Sequence, residues 1–195
     1  MKAGLSPIAE RARRLIDNCA LIVDTETTGL DNAAEVVEIC VLDMSGNVLF
    51  ESLCKPRLAE MSEGAQRVHQ IKPETLAQSP DFVALWPSFA AAVKGRTLIA
   101  YNAEFDRRIL RQTCAAWADR LPMGQWAMDT LRVNWSCLMV GYAAHAGART
   151  SLEKACIRHG IQPGTHSAAS DCRAALGLLQ FLAYGEVAAE LKAAA

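Results

Sequence analysis

A chain of 195 residues and 21.1 kDa is one domain by the usual length relation and long enough to bury a sizeable core. Its 51% hydrophobic and 21% charged residues exclude a disordered, collagenous or disulfide-knot protein. The formal net charge of -1 leaves no global basic footprint, so a polyanionic partner must be met by local charge or by bound metal.

No apolar run is long enough to cross a bilayer. The charged start MKAGLSPIAERARRLIDN lacks an apolar signal core. A cytoplasmic location without membrane attachment is therefore expected. The seven cysteines are scattered, mostly through apolar segments, with no C-x-x-C pair. They read as reduced, mainly buried thiols rather than a zinc site or disulfide framework.

Ser6 as cap, Pro7 at the first helical position and Ala9, Ala12, Leu15 and Ile16 on one face predict an N-terminal helix. The short apolar run Cys19–Val23 ending in Asp24 predicts a central strand. Glu35–Leu42 and Asn47–Cys54 predict two more, joined antiparallel through the Ser45–Gly46 hairpin signal. Met61–Leu76 reads as one or two short helices broken near Pro73, and Asp81–Lys94 as a helix disturbed at Pro87. Thr97–Tyr101 is another short strand, followed by a helix over Ala103–Trp117 with Phe105, Ile109, Leu110 and Cys114 on its inner stripe. A fifth strand is expected at Trp126–Met128, with helices at Thr130–Met139, Ser151–His159 and Ala168–Tyr184. This order implies an α/β fold with a mixed sheet carrying helices. The expected division is a helical extension over 1–19, one domain over 20–184 and a tail over 185–195 whose AAELKAAA is a frayed helix end.

Three acidic segments carry the chemistry. In DTETTG, Asp24 and Glu26 are two residues apart at a strand end and share a face. Like charges so placed repel, and a hard divalent cation resolves the conflict. Asp106, in YNAEFD, follows the next central strand and could converge on that pair. In HSAASD, His166 falls in a loop rich in Gly, Pro and Thr, and Asp171 near the start of the last helix. Taken singly, each has a plainer reading: an acidic turn, a first-turn helix Asp favoured by the dipole, and a solvent-exposed histidine.

Together, in this order, DTETTG, YNAEFD and HSAASD resemble the three motifs of the DnaQ-like 3′–5′ exonucleases, DEDDh subgroup. VVEICVLD, VHQIKPETL, MDTLR and SLEKACIRHGI resemble the intervening segments of that family, so the likeness spans residues 20–184. Tyr101 stands where many members have His, Gln70 where Gly is common, and Ala169 and Cys172 where Leu and Ala are frequent. These departures bear on substrate preference. The resemblance implies an RNase H-like fold, a five-stranded mixed sheet flanked by helices. It also implies hydrolysis of terminal phosphodiesters of single-stranded nucleic acid, releasing 5′-mononucleotides.

By the same resemblance, Asp24, Glu26 and Asp171 are direct ligands of two Mg²⁺ or Mn²⁺ ions, Asp106 acts through water, and His166 is the general base. Thr27 and the backbone around Thr28 would meet the terminal nucleotide and Leu30 would wedge beside its base, although a core leucine is an equal reading. His69, Tyr101 and Asn102 are further substrate-binding candidates, His69 alternatively being structural. Arg107, Arg108 and Arg111 could reach phosphates or simply form a solvated face. DNA 3′ ends are slightly favoured over RNA. A homodimer is left open, since Trp117, Trp126 and Trp135 could be dimer surface or core. The competing readings are a non-catalytic nucleic-acid-binding module of this fold and a phosphatase built on D-x-D, which Glu26 and the HSAASD segment disfavour.

Overall fold

The computed structural model describes residues 6–192. Its elements, in chain order, are α1 (Pro7–Asp17), β1 (Leu21–Thr27), β2 (Val36–Leu42), β3 (Val48–Leu53), α2 (Glu63–His69), α3 (Pro73–Ala77), α4 (Phe82–Val93), β4 (Thr97–Ala100), α5 (Ala103–Ala116), α6 (Ala127–Thr130), β5 (Asn134–Cys137), α7 (Leu138–Ala146), α8 (Leu152–Arg158) and α9 (Ala168–Tyr184). The five strands form one sheet in the order β3-β2-β1-β4-β5. β1, β2 and β3 pair antiparallel, while β4 runs parallel to β1 and β5 parallel to β4.

Strand alternation divides the core in two. Ile22, Cys40 and Leu42 face α9, with α1, α7 and α8 beside it. Leu21, Val23, Ile39 and Val41 face α4 and α5, where Phe50, Phe82, Trp86 and Phe89 form an aromatic cluster. Buried on both faces, β1 must be apolar until the sheet ends. The sequence obeys this from Leu21 to Val23 and turns polar at Asp24, so the acids emerge at the carboxyl end of the central strand. Parallel strands starting elsewhere end on the same side, which is where ligands gather in open α/β sheets.

Local signals set most boundaries. Ser6, Ser62, Asp81, Ser151 and Ser167 each accept a backbone N–H in the first turn of their helices. α4 runs unbroken through Pro87. Gly46 takes φ 83° in the β2–β3 hairpin, where Asp43 accepts from the N–H groups of Ser45 and Asn47.

Two expectations need correction. Trp126–Met128 is not a strand: it is a 3-10 turn leading into α6, with Trp126 61% exposed. The fifth strand is Asn134–Cys137, inside the stretch expected to be helical. It is an edge strand paired only to β4, so its residues need not form the continuous apolar run that marks a central strand. Residues 189–192 are also not a frayed end. A 3-10 turn buries Leu191 against α9, and Gln162 donates its N–H to the Leu191 carbonyl. Residues 193–195 lie outside the described residues. Among the described residues no helix is long and apolar enough to cross a membrane. Of the three tryptophans left open, Trp117 is buried, Trp135 half-buried and Trp126 exposed.

Candidate active site

Asp24 and Glu26 leave the carboxyl end of β1 toward α9, as the alternation requires. Glu26 lies opposite Glu38 of β2; beyond it the register skips Val37, so that Thr27 pairs with Val36. Asp171 comes from the first turn of α9, fixed by a reciprocal cap between Ser167 and Ser170. Carboxylate oxygens of Asp24, Glu26 and Asp171 lie within 4.8 Å of one another. Asp106, on the first turn of α5, is buried at 4% exposure and accepts a hydrogen bond from the Thr25 hydroxyl at 2.9 Å. It is outside the three-oxygen group but near enough to disfavour the Asp24 charge.

These carboxylates cost one another ionisation. Burial, then the charges of Asp106, Asp171 and Glu26, hold Asp24 well above the usual carboxylate range. Burial first, then Asp171, Glu38 and Asp106, push Glu26 up to about 7. Burial also raises Asp106, against the pull of the Thr25 hydroxyl. None of the ion pairs among the described residues involves any of the four. A converging, all-oxygen, mutually repelling donor set with no lysine or arginine ion pair among the described residues fits a hard divalent cation.

The 163–166 loop lies over Asp171. His166 is exposed, takes φ 59° and lies beside the Asp171 carboxylate. Burial raises Asp171, and the neighbouring His166 ring and N–H partly offset that. Gly164 presses so closely that a Cβ there would stand 1.5 Å from Asp171 Oδ1. Ser170 Oγ accepts from the Thr165 N–H at 2.8 Å, tying the loop to the helix that carries the carboxylate.

Beside the acids is a cleft of about 390 Å³, walled by Thr27, Gly29, Leu30, Ser62, Val68 and Phe105, among others. Leu30 is 80% exposed, so it is no core leucine. His69 also lines the cleft while serving the structure. Its Nδ1 accepts from the Ile71 N–H, leaving Nε2–H to donate to the Thr27 carbonyl at 3.3 Å. The other candidates go elsewhere. Thr28 is buried, its hydroxyl accepting from Glu35 N–H and its own N–H and carbonyl bonded to Glu35 and Ser62. Tyr101 donates its hydroxyl to the Thr150 carbonyl, and Asn102 opens onto a separate hollow.

A family model described as exonuclease, RNase_T, matches residues 21–179. The chain belongs to the exonuclease family. It is a DnaQ-like 3′–5′ exonuclease with the RNase H-like fold. It is 29% identical over 191 residues to CP81 of Escherichia phage 186, described as an uncharacterized exonuclease, covering 93% of this chain and 96% of that one. It is 30% identical over 144 residues to the DNA polymerase III epsilon subunit of Rickettsia typhi, covering 71% of this chain and 61% of the subunit. Among solved structures it resembles exonuclease X in complex with 5′ overhanging duplex DNA, with TM-score 0.61, 25% identity and coverage of 89% and 97% of the two chains.

Three residues around the exonuclease site have roles there that the motifs did not assign. Glu38 accepts from the Ala168 N–H at 2.9 Å, fastening the start of α9 beside Glu26. Its only signal is an acid inside the apolar run VVEICVL. Phe105 packs against the core on the inner stripe of α5 and also forms part of the cleft wall. Arg108 stacks on Phe105 and donates to the carbonyls of Leu30 and Asp31, bracing the loop that presents Leu30.

Proposed function

We propose that this exonuclease removes 5′-mononucleotides from the 3′ ends of single-stranded nucleic acid, DNA ahead of RNA, in a reaction that depends on two Mg²⁺ or Mn²⁺ ions. The convergence of three carboxylates within 4.8 Å beside an open cleft supports this reading most. The relatives favour DNA: one is a DNA polymerase subunit and one is complexed with DNA. A cytoplasmic site of action belongs to the same proposal.

Asp24, Glu26 and Asp171 would hold the ions, with Asp106 behind them. The ions would supply charge stabilisation for the phosphoryl centre and acidify the attacking water. Thr27 and Leu30 orient the terminal nucleotide, Leu30 by apolar contact with its base, which ignores base identity. His166 takes the proton of the attacking water on its imidazole as the bond from phosphorus to the 3′ oxygen of the shortened strand breaks. The loop that carries it is already seated on Asp171.

The test is a labelled 20-mer with a free or blocked 3′ end, as DNA and as RNA, with Mg²⁺ or with EDTA. The expected result is mononucleotide release only from free 3′ ends with Mg²⁺, reduced by orders of magnitude in Asp24→Asn. Cleavage of a circular strand, or undiminished rate in EDTA, would overturn the reading.

A further inference from the structure

On the flank of α5 away from the cleft, a second concave surface begins at Asn102, one helical turn before Asp106, and runs along the β5 edge of the sheet. Its upper part, about 460 Å³, includes Asn102, Arg107, Trp135 and Arg149. Its lower part, about 90 Å³, shares Arg107 and Trp135 and adds Arg111 and Arg132. Arg107 follows Asp106 directly, and Arg111 lies one turn further, about 6 Å along the helix axis. So α5 divides two surfaces. Phe105 of its first turn faces the nucleotide cleft, and Arg107, two residues on, faces this groove.

Charge and chemistry say what the groove fits. Four arginines line it against two carboxylates, Glu104 and Asp129, in a chain whose net charge is -1. Asp129 is engaged by Arg111, and Glu104 stands 4.0 Å from Arg107. Arg132 and Arg149 are exposed and in none of the ion pairs among the described residues. Arg132 sits at φ 52°, a conformation in which glycine would be less strained. Trp135 projects from the edge strand, half-buried, into the middle of the arginines. A basic track beside a partly open aromatic face suits a single strand with unpaired bases: phosphates follow the cations and a base can stack on the ring.

We propose that this groove holds the substrate strand upstream of the scissile bond, so that the enzyme grips oligomers beyond the nucleotide it removes. The inference rests on the single-strand reading above and extends it to substrate length.

The experiment compares wild type with Arg132→Gln/Arg149→Gln, using a dinucleotide and a 20-mer DNA strand, with 20-mer affinity measured in EDTA across salt. Neutralised phosphates lower the logarithm of affinity with that of salt by about 0.7 per contact on a single strand. The double variant should therefore lose about 1.4 from that slope and raise KM for the 20-mer about tenfold or more. The dinucleotide, too short to reach the groove, should keep its kcat/KM. Arg132→Lys/Arg149→Lys should keep the wild-type slope. An unchanged slope and KM in the Gln variant overturns the proposal. So does an equal loss on the dinucleotide, which would place the arginines at the terminal nucleotide. An effect confined to a substrate with a duplex stem would assign the groove to paired strands and overturn it too. Failure of the exonuclease reading looks different: wild type would then release no mononucleotide from either substrate.

Discussion

Between Gly164 and Asp171 there is no room for a methyl group. In Gly164→Ala the loop must lift or the carboxylate must turn, and either change moves His166 relative to Asp171. Misplacement of about 1 Å can cost on the order of 10²-fold in rate. Turnover in Gly164→Ala should drop on that scale with Tm almost unchanged, because the loop adds little to the core. A variant with wild-type turnover would show that the seated loop is unimportant to catalysis. His166→Ala asks a narrower question. A positioned base contributes about 10²–10⁴-fold, so the variant should lose turnover on that scale while keeping its affinity for Mn²⁺. A single-turnover rate within a few-fold of wild type at saturating metal would leave His166 without a role as base. At this scale the convergence of Asp24, Glu26 and Asp171 was legible because acids recur in ordered motifs. Glu38 and Phe105 were not. A carboxylate that receives a helix N–H 130 residues away leaves no local pattern, and a helix period cannot tell a core wall from a cleft wall. Gln70 shows the converse: the departure from Gly was visible, and the structure gives its consequence, a non-glycine residue at φ 58° closing α2 next to His69.

The site depends on where α9 lies, since that helix carries Asp171 and its first N–H groups meet Glu38. Its outer face is held by the segment after it. Gly177 lets that segment close in: a Cβ there would stand 2.9 Å from Ile161 Cγ2 and in contact with Val187 and Leu191. Gly177→Val should therefore overpack the joint, at about 1–3 kcal/mol, and lower Tm by several degrees. Limited proteolysis should then cut after Tyr184 sooner than in wild type. Equal Tm and equal cleavage rate would mean that the end of the chain contributes nothing to α9. Elements were read well where one principle dominated: apolar runs for the central strands, the Ser6 cap with Pro7 for α1. β5 was misread because two signals competed. Trp126-Ala127-Met128 supplies apolar bulk, yet only Ala127 and Met128 are buried, in a helical turn. Asn134–Cys137 has the polar content of an edge strand, exposed to intermediate along most of its length.

Across the whole molecule, charge is sorted rather than absent. A near-neutral chain keeps mutually repelling acids at the ends of the central strands and arginines along the β5 edge. The acids make stability depend on pH and on divalent cation together. Glu26 is held near 7, above the ordinary 4.5, chiefly by burial. Without cation, the folded state therefore binds this proton more tightly than the unfolded chain does. The stability from that proton is full below about 4.5 and is lost as pH rises through 7. His69 and His159, lowered by burial, act in the opposite sense as they titrate below 6.5, so the site must be isolated by difference. In EDTA, Glu26→Gln should melt close to wild type at pH 5 and above it at pH 8, because glutamine carries no charge to be repelled. On the proposed two-metal reading, Mn²⁺ would bind only the folded site, add stability by mass action and compete with protons for the same oxygens. Its upward shift of Tm should be small at pH 5, large at pH 8, and much reduced at both in Asp171→Ala. A Mn²⁺ shift of equal size in wild type and Asp171→Ala would place the ion away from these carboxylates. A wild-type Tm in EDTA that gains on Glu26→Gln between pH 5 and 8 would reverse the sign of the repulsion and remove the electrostatic reason for a metal at this site.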